Sequence, residues 1–293
     1  MPKFEILSDS ACDLSDSYLE ENNIDIIPFF VSFDQENYLR ERIDITLDQF
    51  YEQLYTKFPK TSLPSVQDYI NKFTPLVEQG KDLLCITITS SFSGSYQSAV
   101  NAREIILETY PDANICVLDS RLCTTLQGMF VQECVKMRDM NLSLKEALVK
   151  IEKIIPTGRI MFTVGTLEYL QKGGRIGKVS AIAGNILNLK PLIIVRDGEL
   201  YPYGTIRGRK KSLKKIIEMT KEHFEKTGEN IDEYSFCITR GHHEEEAHKV
   251  CEKLIKKLYI KDDISFLQAG STIGTYTGPD PVGITFIKKH EYV

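Results

Sequence analysis

The chain has 293 residues, 42% of them hydrophobic and 26% charged, which is enough apolar content for a packed core and excludes global disorder. At about 150 residues per domain, the length predicts two domains. Lys and Arg number 36 against 41 Asp and Glu, and the resulting net charge of −5 argues against a nucleic-acid-binding protein, which carries a basic surplus.

Phe4–Leu7 reads as a first strand, running into Ser8-Asp9-Ser10-Ala11, and Ile24–Phe33 reads as a second. Thr46 and Gln49 spell a capping box, and Leu47, Phe50, Tyr51 and Leu54 follow at the i, i+3, i+4, i+7 spacing of one helical face. Leu83–Thr89 is a third strand, Ala99, Ala102, Ile105 and Ile106 mark a helix behind it, and Ile115–Leu118 is a fourth strand. Ser143 with Glu146 repeats the capping signal before a helix at Ala147–Ile155. Pro156-Thr157-Gly158 breaks that helix and is the expected boundary between a domain of residues 1–156 and one of residues 157–293. Beyond it, Ile160–Val164 predicts a strand, and Leu192–Val195 and Glu199–Tyr203 flank Asp197-Gly198, a hairpin signature. Leu213, Ile216, Ile217, Thr220 and Phe224 share a helical face, Phe236–Thr239 is a strand, and Ala247, Val250, Cys251, Leu254 and Leu258 form a further helical face. Ile264–Leu267 and Ile284–Ile287 close the chain as strands. Strands alternating with helices predict an α/β fold.

No apolar run approaches the ~18–20 residues of a membrane span, and the most apolar stretch, Ile24 to Phe33, is interrupted by Asp25, Pro28 and Ser32. The start, Met1-Pro2-Lys3-Phe4-Glu5, lacks the basic and apolar regions of a secretory signal, so a soluble cytoplasmic protein is expected. The seven cysteines are odd in number and form no C-x-x-C pair, which points to free buried thiols rather than a disulfide framework or a zinc site. No bound metal and no cofactor is expected.

Several apparent motifs fail on spacing. His243 and His248 stand five residues apart, about 140° around a helix, so the stretch is an acidic helix start rather than a zinc-protease signature. Gly177-Lys178 lacks both a Gly at position 172, which is Lys, and a Ser or Thr at position 179, which is Val, so it is not a phosphate-binding loop of the Walker type. No G-x-S-x-G elbow supports a hydrolase serine. Arg207, Arg209, Lys210 and Lys211, with Lys214 and Lys215, form a basic cluster that reads as a solvated helix start or as a docking face for an acidic partner or a phosphate.

Three hydroxyl-rich turns survive. Thr61-Ser62-Leu63-Pro64-Ser65 is stiffened by Pro64, and Ser65 with Asp68 suits a helix cap. Ser90-Ser91-Phe92-Ser93-Gly94-Ser95-Tyr96 follows the third strand, at the strand end where open α/β sheets bind ligands. The third turn, Gly270 to Pro279, falls late in the second domain. Together they suggest a small anion, carboxylate or phosphate, held by neutral donors at a domain interface.

The ordered set of Ser8-Asp9-Ser10-Ala11-Cys12-Asp13-Leu14, the Thr61–Ser65 turn, Ser90 to Ala99, Leu167-Glu168-Tyr169-Leu170, Lys172-Gly173-Gly174-Arg175-Ile176 and Asn188-Leu189-Lys190-Pro191 resembles the DegV family of bacterial fatty-acid-binding proteins, which includes the carriers of the fatty acid kinase system. The resemblance implies a two-domain α/β fold, Rossmann-like in its N-terminal half, with one long-chain fatty acid, palmitate- or oleate-like, buried in a pocket. It implies a carrier rather than an enzyme, with no catalytic residue, that presents its ligand to a kinase subunit; the basic cluster at Arg207, Arg209, Lys210 and Lys211 is the candidate docking face for it, and the acidic net charge leaves no nucleic-acid partner expected. Thr61, Ser62 and Ser93 would hold the carboxylate, Gly94 would allow close backbone approach, and Arg175 would act on the head group or dock a partner. In the late motif the family's carriers often have His where this chain has Tyr276, which still donates from its phenol but does not become cationic as His does. Asp280 replaces a Gly of that motif. A binding protein for another anion, such as a phosphosugar, and an acyl hydrolase using Ser93 are the alternative readings.

Overall fold

A computed structural model describes residues 3–183 and 188–293, so Met1 and Pro2 of the chain start lie outside the described residues. The first strand, β1 (Glu5–Asp9), is followed by α1 (Asp16–Glu21), whose first turn is capped by Ser15, and by β2 (Ile24–Ile27). The apolar stretch expected as one long strand is two strands in two sheets. Pro28 has no N–H to donate to a ladder, and the chain leaves the first sheet there. It re-forms as β3 (Phe30–Ser32), which pairs antiparallel with β4 (Leu39–Arg40) on one side. On the other side β3 pairs with a strand arriving after α2 (Leu47–Leu54), namely β5 (Lys60–Ser62). The Thr46–Gln49 capping box is present, and Phe50, Tyr51 and Leu54 are buried as their spacing requires.

Ser65 and Asp68 form the second capping box, opening α3 (Val66–Val77). Then come β6 (Leu83–Thr87), α4 (Ser95–Thr109) and β7 (Ile115–Asp119). The order β2-β1-β6-β7, all parallel, makes this a doubly wound sheet. On α4, Ala99, Ala102 and Ile106 are buried, but Ile105, expected on the same face, is 48% exposed because the turn around it faces solvent.

Two helices link this sheet to the next: α5 (Thr124–Asp139) and α6 (Leu144–Ile154), the latter opened by the Ser143–Glu146 capping box. Pro156-Thr157-Gly158 falls in a 3-10 turn that delivers the chain into β8 (Arg159–Thr163). After α7 (Glu168–Lys172) come β9 (Leu189–Arg196) and β10 (Glu199–Arg207), an antiparallel hairpin in which Asp197 and Gly198 both take the left-handed φ that a tight two-residue turn needs. The remaining elements are α8 (Arg209–Thr227), β11 (Tyr234–Arg240), α9 (Glu245–Leu258), β12 (Ser265–Gln268), α10 (Ser271–Thr277) and β13 (Val282–Lys288). The third expected turn is therefore largely a short helix, α10. The second large sheet runs β10-β9-β8-β13-β11-β12 and is antiparallel except for its β11–β12 pair. The fold is the α/β arrangement expected. No helix among the described residues is long and apolar enough to cross a membrane.

The largest hydrophobic cluster runs through both halves of the chain, joining Ile6, Leu84 and Ile86 of the parallel sheet to Ile160, Phe162, Ile193 and Val195 of the antiparallel one. Helix α5 lies inside it. Leu126, Met129, Phe130, Val131, Cys134 and Val135 are all buried there, which is why α5 shows no clean amphipathic period and escapes a sequence reading.

One buried carboxylate organises the C-terminal end of the parallel sheet. Asp9, at the C-terminal end of β1, accepts from the Ile88 N–H at 2.9 Å, the Ser95 hydroxyl at 2.7 Å and Gln127 Nε2 at 2.9 Å. It thereby joins the loop after β6, the start of α4 and α5. Burial pushes its carboxyl up to about 6, against the lowering effect of those three donors. A carboxyl whose folded-state value lies above its unfolded one adds stability that is full below the unfolded value of 3.8 and is lost as pH rises through about 6. Asp9→Asn abolishes that loss. Urea unfolding should therefore favour the variant, relative to the natural protein, more at about pH 7.5 than at about pH 4, and an equal difference at both would contradict the assignment.

Candidate functional site

A cavity of about 240 Å³ lies between the two large sheets. Phe29, Ile88 and Phe92 wall it from the N-terminal half, and Ile160, Phe162, Val195 and Leu200 from the other. Cys123 also reaches it. Burial pushes that thiol up to about 12, so it presents a neutral sulfur. All seven cysteines are free.

The polar atoms of the wall gather where β5, the loop after β6, the segment after α7 and α10 meet. Thr61, Ser62, Ser93, Arg175 and Tyr276, expected from the sequence, all line the cavity. Gly94, the sixth, does not. It caps α4 and faces an adjoining open groove together with Ser90, Ser91, Ser93, Arg175 and Lys178. The Thr61 hydroxyl and the Tyr276 phenol are 2.6 Å apart, so one of their two protons is spent between them and the other remains free to donate. Ser93 Oγ accepts the Ser95 N–H at 3.2 Å, which leaves its own proton available. Arg175 is tethered by two backbone carbonyls, Phe92 O at 3.2 Å and Gly173 O at 3.0 Å, and its guanidinium lies 5.3 Å from the centre of the Tyr276 ring. The result is a set of neutral O–H donors beside one fixed positive charge, suited to a group that only accepts, as a carboxylate does.

Close packing places Tyr276. A methyl on Gly173 would collide with its ring edge, so the tyrosine occupies the volume that a side chain at 173 would take.

Four further residues shape the site: Asp13 and Thr272, which stand in stretches singled out above without being named as site residues, and Glu41 and Thr124, which carry no readable signal in the sequence. Thr124 and Thr272 line the cavity. Thr124 takes φ 51°, a left-handed conformation rare for a β-branched residue, and donates its hydroxyl to Asp13 at 2.6 Å. Burial and the neighbouring Glu41 carboxylate raise the Asp13 carboxyl well above the ordinary range. Thr272 gives both its hydroxyl and its N–H to Glu41, each at 2.8 Å, so that hydroxyl is not a free donor toward the cavity. Asp13 stands in the stretch Ser8–Leu14 quoted above, but nothing local announces its partner Thr124, 111 residues away.

The discarded motifs stay apart. His243 contacts Tyr55 at 3.0 Å, whereas His248 packs on the Phe266 ring at 4.6 Å. Among the described residues no group of three or more His, Cys, Asp or Glu is arranged to hold a metal ion. In the basic cluster, Arg209 is turned inward to Glu246 at 2.7 Å and to the Asp280 carbonyl at 2.8 Å, and Lys215 pairs with Glu222 at 2.8 Å. Arg207, Lys210, Lys211 and Lys214 remain exposed.

An apolar cavity between a parallel and an antiparallel sheet, opening on hydroxyl donors, defines a small-molecule-binding α/β protein. The family model described as "Uncharacterised protein, DegV family" matches residues 3–289, and the chain belongs to the DegV family. A DegV domain-containing protein of Clostridium acetobutylicum is 32% identical over 295 residues, covering 99% of this chain and 100% of the relative. A stearic acid-binding protein of Eubacterium ventriosum has a solved structure that superposes with a TM-score of 0.95 at 41% identity, over 99% of this chain and 100% of that one. The structure of DegV from Bacillus subtilis, a fatty acid binding protein, superposes with a TM-score of 0.83 at 25% identity, over 99% and 100% of the two chains.

The packing of Tyr276 is testable. Gly173→Ala should destabilise the fold by about 1–3 kcal/mol by displacing the Tyr276 ring. Thermal unfolding should show that adding Gly173→Ala to a Tyr276→Ala background costs far less, and an equal cost in both backgrounds would refute the contact.

Proposed function

We propose that this protein binds one long-chain fatty acid and acts in the cytoplasm as a non-catalytic carrier. The observation that carries this reading is a cavity with apolar walls and a rim of hydroxyls at Ser93, Ser62 and the Thr61–Tyr276 pair, whose protons are not all spent among the described residues. The carboxylate takes those donors and the chain lies along Phe29, Phe162 and Leu200. Residues 1–156 supply the head-group turns and residues 157–293 close over the tail. The 41% identity to the stearic acid-binding protein of E. ventriosum supports the same ligand class.

The energetics fit. A palmitate-length chain buries about fourteen methylenes, which at ~0.8 kcal/mol each contribute roughly 11 kcal/mol before costs. Lost freedom and carboxylate desolvation consume a large part. Hydrogen bonds to the charged head, on the order of 1.5–3 kcal/mol each, offset the desolvation. The tail thus supplies most of the affinity and the hydroxyls set the orientation.

The alternatives fit less well. A phosphosugar would leave the apolar walls unused. A hydrolase using Ser93 needs a base on its hydroxyl, and among the described residues the hydrogen bond to Ser93 Oγ comes from the Ser95 N–H. In the carrier reading the bound acid is presented to a kinase subunit and held as an acyl phosphate, with Arg207, Lys210 and Lys211 as the docking face.

Native mass spectrometry of the purified protein should show one fatty acid per chain, recoverable as the free acid, and a bare protein that also refuses added palmitate and oleate would overturn the reading. Ser93→Ala should weaken palmitate binding about tenfold or more, as expected for losing one hydrogen bond to a charged group. Reversing charge with Lys210→Glu and Lys211→Glu should weaken association with a fatty acid kinase subunit while lipid content stays at one per chain. Loss of the lipid would contradict the docking role.

A further inference from the structure

Glu41 sits in the turn after β4 and is 1% exposed, yet its carboxylate is fully engaged. It accepts from the Ser10 hydroxyl at 2.5 Å, the Ser271 hydroxyl at 2.9 Å, the Thr272 hydroxyl at 2.8 Å and the Thr272 N–H at 2.8 Å. Ser10 in turn accepts the Phe29 N–H at 2.9 Å. Buried charge is tolerated only with such a complete set of donors, and all of these are uncharged.

The two sides of this cluster are the two sides of the head-group site. Glu41 directly follows β4, which shares with β5 the central strand β3, so Glu41 stands at the end of the small sheet that carries Thr61 and Ser62. Its N–H also donates to Phe29 O at 2.8 Å, fixing the turn against that sheet. Ser271 and Thr272 form the first turn of α10, whose later residues Ile273 and Tyr276 line the cavity. The helix begins at Gly270, which has no side chain with which to cap it. A Cβ at 270 would lie 2.6 Å from Asp13 Oδ1 and 2.7 Å from Glu41 Oε1, so the helix start is pressed directly onto the carboxylates. Small sheet and helix are thus joined twice: by Glu41 at the buried end and by the 2.6 Å Thr61–Tyr276 bond at the ligand end.

We infer that Glu41 is a positioning residue for the head-group site: it sets the register of α10 against β5, so that the Thr61–Tyr276 pair presents its free proton to the ligand's carboxylate. This rests on the fatty-acid reading above. Glu41 touches neither the cavity nor the ligand, and its effect is confined to recognition of the head group. A glutamine there would turn an amide N–H₂ toward donors, and the first turn of α10 would shift away.

The discriminating probes are palmitate and 1-hexadecanol, which share a chain and differ at the head. Dissociation constants for both should be measured on the natural protein, on Glu41→Gln and on Ser271→Ala. Glu41→Gln should weaken palmitate about tenfold or more and 1-hexadecanol by less than about twofold, narrowing acid-over-alcohol selectivity. Ser271→Ala removes one donor to Glu41 without touching the cavity and should reproduce the pattern at about threefold, which keeps the inference testable if Glu41→Gln does not fold. In a Tyr276→Phe background, Glu41→Gln should add little further loss of palmitate binding. An equal loss for both probes, or unchanged selectivity in both variants, overturns the positioning role while leaving the fatty-acid reading intact. Failure of the natural protein to bind either probe overturns both.

Discussion

The structure depends on a helix that is buried nearly all round and is not apolar. Helix α5 packs between the parallel and antiparallel sheets, and the polar side chains it takes into that interior meet partners there, with Gln127 Oε1 the exception among its described atoms. Thr124 meets Asp13, Gln127 meets Asp9 and Ser8, and Thr125 joins Thr239 and Thr285 in a closed set of hydroxyls. Glu133 accepts from the His290 N–H and contacts its ring at 2.7 Å. These partners come from β1, the turn after it, β11, β13 and the last residues of the chain. The helix therefore fixes the two sheets to each other, and the cavity is the space left beside its N-terminal end, where Cys123, Thr124 and Thr239 reach the wall.

That arrangement explains why the polar residues of the cavity wall can come from four distant segments and still converge. Asp9 carries the constraint from α5 through Ser95 to Ser93, and Asp13 carries it through Thr124 to the cavity wall. Glu41 carries it from the turn after β1, through Ser10, to α10. Three buried carboxylates hold the loops around the cavity: Asp9 and Glu41 have uncharged donors on both oxygens, whereas Asp13 has Thr124 on Oδ2 and, among the described residues, no hydrogen-bond partner on Oδ1. Burial and mutual repulsion raise Asp9 and Asp13, so the arrangement costs stability that the surrounding core must offset.

What the sequence made legible follows from the range of the interactions involved. Capping boxes at Thr46, Ser65 and Ser143 and the Asp197-Gly198 turn are settled within four residues, and the structure shows each. The faces of α8 and α9 were readable because one side of each helix meets solvent. Ile24–Phe33 misled because apolar continuity does not reveal a change of sheet, and only Pro28 hinted at the break. The stretch Gly270–Pro279 looked like a turn because Gly, Ser and Thr favour turns. It is helical because Glu41, about 230 residues earlier, supplies the acceptors its first turn needs. Among site residues, hydroxyls in short motifs were visible and buried acids were not, since an acid's burial is decided by partners that no local pattern encodes.

The Tyr276 position shows how a bulky side chain is accommodated on the cavity wall. A tyrosine is larger than a histidine would be, and its ring lies over Gly173, where the missing side chain leaves room. The phenol retains a donor and gains Thr61 as a fixed partner. It gives up the ability to become a cation, and the positive charge at this end of the cavity then falls to Arg175, held over the ring by two carbonyls rather than by an acid. Among the described residues no carboxylate pairs with Arg175, so its guanidinium remains available to attract an anion, screened by the solvent to which it is exposed. Charge attraction and hydrogen-bond direction are thus divided between Arg175 and the hydroxyls. A neutral group of equal size at this end of the cavity would forfeit the first and use only part of the second, so the wall discriminates by charge even without an imidazolium.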